Sequence, residues 1–212
     1  MLQKGDFMIS ENLSTLTQIH NSAKAEFLQK GYQSASLRNI VKSVGMTTGA
    51  FYGYYKSKED LFEALVKEQY DFVVNCIKSA TSEFESFPYE KQLELMSDFS
   101  GQCMDDILIY MCNHIDEFKL ILCCSEGTRF SKMIDDLVEI EIESTKKFKE
   151  VLLKLGHECP HIDPVLEHIL CTGMFHTFFE LVIHDMPLED AKIYVKEMRD
   201  FYNAGWIKIM GL

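Results

Sequence analysis

The segment from Ser36 to Asp60 constrains what this chain can fold into more than any other part of the sequence. Four apolar residues recur at i, i+3, i+4 and i+7, which predicts a buried stripe on a short helix: Leu37, Ile40, Val41 and Val44. Ser36 is suited to cap this helix, and Gly45 follows it, where a left-handed residue often ends a helix. Met46 and Thr47 form a turn, and Thr47 is suited to cap a second helix, predicted over Thr48 to Tyr54.

A third helix is predicted to begin shortly after the second. Ser57 and Asp60 have the spacing of a capping box, in which a hydroxyl and a carboxylate bond free N–H groups at a helix start. A helix, a glycine-containing turn and a second short helix form the helix-turn-helix arrangement, whose second helix can enter the major groove of DNA. The outer face of that second helix carries aromatic and small residues where a solvated face normally carries charges, which indicates a functional surface.

This segment resembles the N-terminal DNA-binding domain of the TetR family of transcriptional regulators. Three stretches carry the resemblance: SLRNI at 36–40, GMTTGAFY at 45–52 and YYKSKEDL at 54–61. The similarity spans residues 13–66, and residue types and spacing agree across three successive elements. A helical hairpin without a role in DNA binding is the alternative interpretation of the segment.

The resemblance places eight residues at positions that face DNA: Arg38, Thr47, Thr48, Gly49, Ala50, Tyr52, Tyr54 and Lys58. Arg38 and Lys58 have the charge to neutralise phosphates, and the hydroxyl of Tyr52 can bind a phosphate oxygen. Two members have structural alternatives, since Thr47 could be only a helix cap and Tyr54 only a packing residue.

Sequence specificity is expected from the second helix. Thr48, Ala50 and Tyr54 are suited to contact base edges or a thymine methyl group, and Gly49 lets the backbone come close. The helix contains no Arg, Lys, Asn or Gln, the residues that make two hydrogen bonds to one base. Specificity is therefore expected to depend on apolar contacts, water and DNA shape.

The net charge of −12 conflicts with DNA binding only when the chain is taken as a whole. Residues 1–58 contain seven Lys or Arg and three acidic residues, a net charge of +4. The remaining residues contain 14 basic and 30 acidic residues, a net charge of −16. Because cellular salt screens charges over about 8 Å, a basic end on an acidic body can still bind phosphates.

The rest of the chain also shows helical periodicity, which predicts an all-α fold of about nine helices. Residues 1–11 are predicted to form a short disordered or loosely attached arm, and the first helix is expected from about Leu13 to Lys30, where Gly31 ends it. The later helices are predicted at 58–83, 89–112, 116–124, 128–155, 164–184 and 188–209. The predicted domains are a helix-turn-helix domain at 12–57, a connecting helix at 58–83 and a C-terminal domain for effector binding and dimerisation at 84–212.

The resemblance implies a homodimer formed by the last two helices, which would hold two recognition helices one DNA turn apart on a palindromic operator. Candidate interface residues on these helices are Phe175, Phe179, Val182, Tyr194, Met198 and Phe201. The alternative is that these side chains only fill the core of a monomer.

The resemblance also implies a small-molecule effector, of unknown identity, that binds in the C-terminal domain and releases DNA. Cysteine, methionine and other apolar residues are the candidate lining of the effector pocket: Cys103, Met104, Ile107, Met111, Met174 and Phe178. The same residues could be ordinary core packing. The predicted function is thus a DNA-binding regulator, most simply a repressor, and the alternative is a helical carrier of small molecules without a DNA role.

Other chemistries have little support in the sequence. No nucleophile motif, phosphate-binding glycine loop or metal-hydrolase signature is present, so no enzyme activity, cofactor or metal is expected. His157, Cys159 and His161 are ligand types, but their spacing is more typical of a polar loop. The seven cysteines are interpreted as reduced thiols, and no signal peptide or membrane span is evident, which predicts a cytoplasmic protein without a membrane partner.

Overall fold

The computed structural model describes residues 4–96 and 99–212, with side chains for 15–96 and 101–212. Within these ranges the chain is all helical and contains no strand, which confirms the predicted fold class. Ten α-helices occur in the described residues: α1 (Lys4–Ser34), α2 (Leu37–Ser43), α3 (Thr48–Phe51), α4 (Lys58–Ser86), α5 (Tyr89–Leu95), α6 (Phe99–Asn113), α7 (Ile115–Cys124), α8 (Met133–Lys154), α9 (Pro164–Ile183) and α10 (Leu188–Met210). A 3-10 turn at Arg129–Lys132 precedes α8.

Two helix starts differ from the sequence prediction. Helix α1 begins at Lys4, so residues 4–11 are helical and the predicted arm is wrong for them, while residues 1–3 of that arm lie outside the described residues. The break predicted at Gly31 is present, because its φ of 71° and ψ of 162° leave the helical region. The helix predicted from Thr128 begins instead as the 3-10 turn, and α8 starts at Met133.

The helix predicted over residues 89–112 is two helices. Helix α5 ends at Leu95, and α6 begins at Phe99. The segment between Tyr89 and Ser100 contains no Gly or Pro, the residues that most often mark a break. Its apolar spacing also continues across the junction, so helical periodicity alone could not reveal it.

The helices form two compact units, each with its own core. The N-terminal unit contains the described residues up to Gln69 together with Asp116–Ser131, and the C-terminal unit contains Tyr70–Ile115 and Lys132–Leu212. Helix α7 and the 3-10 turn thus pack with the N-terminal helices, whereas the predicted division placed them in the C-terminal domain.

Aromatic side chains form the centre of the N-terminal unit. The rings of Phe27 on α1 and Phe62 on α4 meet edge to face at 5.1 Å, and Phe130 lies 6.1 Å from Phe62. All three are almost completely buried, and each such side chain contributes about 1.5–3 kcal/mol through its removal from water. Phe51 and Phe118, on α3 and α7, are also fully buried. This core fixes the short α3 onto longer helices.

Helix α9 is the central element of the C-terminal unit. It starts where Asp163 accepts hydrogen bonds from the N–H groups of Val165 and Leu166. Among the described residues, α9 alone is long and apolar enough to cross a membrane by length and composition. Eight of its side chains are nevertheless buried inside the unit, as in the core helix of a globular domain. Helices α8 and α10 pack against it.

Candidate nucleic-acid interface

The turn between α2 and α3 has the geometry that the sequence predicts. Gly45 has a φ of 69°, in the left-handed region that residues with a Cβ atom rarely adopt. Its N–H donates to the carbonyl of Lys42 at 3.1 Å, and the N–H of Met46 donates to that of Val41 at 2.9 Å. These two bonds form a Schellman motif, which ends α2 sharply.

Thr47 then caps α3. Its Oγ1 accepts a hydrogen bond from the N–H of Ala50 at 3.1 Å, so the hydroxyl is used inside the protein. Helix α3 is one turn long and ends at Phe51, shorter than the predicted span to Tyr54. The ring of Phe51 is buried, while that of the next residue, Tyr52, is 57% exposed. The buried ring therefore anchors α3 and turns Tyr52 to the outside.

The start of α2 is held by α1. Ser36 makes no capping hydrogen bond with its own side chain, contrary to the prediction. Instead Oε1 of Glu26 accepts bonds from the Ser36 N–H, the Asn39 amide and the Lys30 ammonium, at 3.0, 3.2 and 2.8 Å. These bonds, led by that of Lys30, hold the pKa of Glu26 below its usual value. One carboxylate thus fixes α2 relative to α1.

The ammonium of Lys58 holds the link between α1 and α2. It donates to three backbone carbonyls, of Tyr32 at 2.6 Å, Ala35 at 3.1 Å and Gln33 at 3.3 Å. It also lies 4.5 Å above the ring of Tyr32, and partial burial lowers its pKa. An ammonium has three N–H donors, and all three are used here. This geometry gives Lys58 a structural role, and the phosphate contact that the resemblance implies for it stays a prediction.

The remaining candidate DNA residues keep accessible surface. Arg38, Gly49, Ala50 and Tyr52 are exposed, and Thr48 and Tyr54 are half-buried. The hydroxyl of Tyr52 bonds no other residue in the described part of the chain.

Two cations near this surface were not among the predicted site residues. Lys42 lies one helical turn after Arg38 on α2, and Lys56 lies in the loop after α3; both are exposed. In the described ranges, the side chains of Arg38, Lys42 and Lys56 form no ion pair or hydrogen bond. The i, i+4 spacing of Arg38 and Lys42 could have indicated a shared basic face.

Residues 116–131 reinforce this unit from a distant part of the sequence. Lys24 on α1 forms an ion pair with Glu117 on α7. Arg129 pairs with Glu63 on α4 at 3.0 Å. Next to them Gly127 has a φ of 88°, and a Cβ atom there would lie 3.1 Å from the Gln33 side chain. The segment therefore braces α1 and α4 together.

Most of the predicted dimer-interface residues are inside the C-terminal unit. Phe175, Phe179, Val182 and Met198 are buried within a single chain, so their side chains have almost no surface to offer a partner. Tyr194, also predicted there, donates its hydroxyl proton to the carbonyl of Thr177 and so ties α10 to α9. Of the six, only Phe201 is largely exposed, at 74%. The periodicity of α9 could not separate a core face from an interface face, because both are apolar.

The candidate effector residues meet around one cavity of about 180 Å3. Five of the six line it: Cys103, Met104, Ile107, Met174 and Phe178. Met111 is buried but does not line it. Polar residues of the wall, among them Glu141, Arg199 and Tyr202, were not predicted from the sequence. Glu141 had a detectable signal, since it lies four residues after Leu137 in the buried stripe of α8.

Comparisons with known proteins agree with the helix-turn-helix geometry. Residues 19–65 match the family model for bacterial regulatory proteins of the tetR family. A probable helix-turn-helix transcriptional regulator of Bacillus subtilis, YttP, is 27% identical over 88% of this chain and 91% of its own length. The regulator UidR of Escherichia coli is 38% identical over 29% of this chain and 31% of its own.

A solved structure shows the same fold beyond the N-terminal unit. A regulatory protein of the tetR family from Rhodococcus RHA1 covers 88% of this chain and 95% of its own, with a TM-score of 0.53 and 18% identity. The helix-turn-helix geometry, the matched segment and the named relatives lead to one conclusion: residues 19–65 form a DNA-binding domain of the tetR family of bacterial regulatory proteins, and the chain as a whole resembles regulators of that family.

Proposed function

We propose that the chain is a TetR-family regulator, a homodimeric repressor that leaves a palindromic operator when a small molecule occupies the cavity of its C-terminal unit. The observation that carries the proposal is the combination of an exposed helix-turn-helix surface with a cavity in the unit that follows it. The protein would act in the cytoplasm, where its DNA lies.

Phosphate binding is assigned to the cations that have no internal partner. Arg38, Lys42 and Lys56 are exposed, and their side chains make no ion pair or hydrogen bond in the described residues, so these side chains are available for DNA. Tyr52 adds an exposed hydroxyl beside them in the sequence. Thr48, Gly49, Ala50 and Tyr54 are assigned to the bases, where small and apolar groups read thymine methyls and groove shape.

Dimerisation is assigned to the outer faces of α9 and α10. Large apolar side chains remain exposed there: Leu166, Ile169, Ile183, Ile193 and Phe201. On α9, residues 166, 169, 173, 176, 180 and 183 follow helical spacing, so they share one face. Apolar side chains grouped on a surface mark an interaction site, and these replace the buried residues predicted from the sequence.

The route from cavity to DNA is assigned to the chain segments that connect the two units. Helix α4 begins with Lys58 in the N-terminal unit and lines the cavity with Ile77, Thr81 and Phe84 further along. The segment 116–131 braces the N-terminal unit and connects α6 to α8, both of which line the cavity. An effector that binds one arrangement of these helices more tightly shifts the population toward it and changes DNA affinity.

The test is selection of bound fragments from a genomic DNA pool, followed by sequencing. The proposal predicts enrichment of a palindrome whose half-sites lie about one helical turn apart, and loss of enrichment in Arg38→Ala combined with Lys42→Ala. Recovery of no sequence above background would contradict it and favour the carrier hypothesis. In parallel, Ile169→Glu with Phe201→Glu is expected to convert a dimer to a monomer in light scattering, whereas an unchanged mass would reject the assigned interface.

A further inference from the structure

The cavity contains a carboxyl group that the protein itself does not neutralise. Glu141 is half-buried and lines the wall at the middle of α8. It makes no hydrogen bond and no ion pair among the described residues. Its burial raises its pKa, and no other group offsets that effect. A carboxyl group that is largely withdrawn from water and has no partner is costly when ionised, so its presence needs an explanation.

A buried glutamate in the same unit shows how the protein usually satisfies such a group. Glu167 on α9 is 8% exposed, and its Oε1 lies 2.7 Å from the ammonium of Lys149 on α8. Glu141 lies eight residues before Lys149 on that helix and has no such partner. The cation that lines the cavity, Arg199, lies 3.8 Å from Asp105, although its buried Nε bonds no group in the described residues. The carboxylate of the wall that has no ion-pair partner is therefore that of Glu141.

The rest of the wall suits an organic cation. Seven aromatic side chains line the cavity together with Glu141, among them Phe148, Phe178, Tyr202 and Trp206. Aromatic faces attract cations, and the attraction grows when water is excluded. The acidic balance of the chain after residue 58 adds a field that favours cations over anions.

The size of the cavity limits the ligand. Its volume of about 180 Å3 slightly exceeds that of an apolar cavity of about 150 Å3 known to bind benzene. One ring, or an alkyl group of similar size, with a short amine arm would fill it.

We propose that the cavity binds a small aromatic or alkyl amine whose ammonium group pairs with the carboxylate of Glu141 while its apolar part packs against the Met and Phe side chains. This inference rests on the proposed function, because it names the chemical class of the effector. Binding supplies the missing counter-charge, so the ligand stabilises the ionised form of Glu141 that the empty cavity disfavours.

The test uses the fluorescence of Trp206, which is the chain's only tryptophan and lines the cavity. Three probes of similar shape are titrated without DNA: phenethylamine, phenethyl alcohol and phenylpropionate. The proposal predicts that the amine binds about tenfold or more tightly than the alcohol, and that the anion binds weakest. Equal affinities, tighter binding of the anion, or no binding at millimolar concentration would overturn it.

Two variants test whether the charge of Glu141, and not a change in folding, causes the preference for the amine. Glu141→Gln keeps the volume but removes the charge, and is expected to abolish the preference for the amine. Glu139→Gln, at an exposed position two residues earlier on α8, is the matched control and should keep it. Persistence of the preference in Glu141→Gln would also overturn the proposal. Because the titration contains no DNA, its outcome is independent of whether the protein proves to be a repressor.

Discussion

Replacing Lys58 tests whether this residue holds the N-terminal unit together or contacts DNA. In Lys58→Ala three backbone carbonyls lose a charged donor. One hydrogen bond from a charged group contributes about 1.5–3 kcal/mol. Because the three carbonyls share one half-buried ammonium, their contributions do not add, and we expect a total loss on the order of 2–3 kcal/mol.

The loss is measurable as a change in melting temperature. For a chain of this length, 1 kcal/mol corresponds to about 2–4 °C, so Lys58→Ala should lower Tm by about 4–12 °C. Lys56→Ala is the matched control, since Lys56 is exposed and its side chain bonds no other residue in the described ranges. That variant should keep its Tm within about 1 °C.

Salt dependence of DNA binding gives the second measurement. Removal of a phosphate contact reduces the slope of log affinity against log salt by about 0.9 for each contact. Lys56→Ala should show this reduction, whereas the folded fraction of Lys58→Ala should keep the wild-type slope. The reasoning is refuted if Lys58→Ala melts like the wild type and loses slope, because Lys58 would then bind phosphate.

Three further predictions concern the same elements. Gly45→Ala places a Cβ atom at a φ of 69° and should lower the free energy of unfolding by about 1–2 kcal/mol, whereas Gly45→Asn should lower it less. If denaturant titrations give Gly45→Ala the same stability as the wild type, the assigned turn is contradicted. Hydrogen bonds lower the folded-state pKa of Glu26, so its stabilisation is present above its ordinary pKa of 4.5 and is lost as the pH falls through the lowered value. Glu26→Gln should therefore melt lower than the wild type at pH 7, and the difference should shrink in acid; a constant difference would count against the pairing. Burial raises the pKa of the Cys171 thiol to about 12, so Cys171 should react slowly with an alkylating reagent at neutral pH. Mass spectrometry should find the exposed Cys123 modified first and Cys171 last, and the reverse order would show that the core around Cys171 opens.

The helix-turn-helix could be predicted in detail because its signals are local. The apolar spacing of α2, the glycine at the turn and the Thr47 cap act on neighbouring residues, and all three occur in the structure. The partners of Glu26 and Lys58 could not be predicted in the same way. Their side chains bond residues that lie 4–13 and 23–26 positions away, and only the folded chain brings these groups together.

The C-terminal unit shows a second limit of the sequence. Helix α9 is apolar on several faces, so its pattern indicates burial but not whether the chain itself or a second copy covers each face. Phe179 and Phe201 both fit an interface by type, yet one is 1% and the other 74% exposed. The cavity residues were easier to predict, because Cys103 and Met104 on α6 and Met174 on α9 line one cavity and their residue types are typical of a pocket wall.

The central claim is that exposed cations around the helix-turn-helix bind an operator. Fluorescence anisotropy of the selected operator, measured over a range of salt concentrations, tests this claim most directly. With three phosphate-binding cations in each protomer of a dimer, we expect a slope of log affinity against log salt of about −5. The variant that combines Arg38→Ala with Lys42→Ala should show a shallower slope. A slope near zero, or a slope unchanged in that double variant, would contradict it.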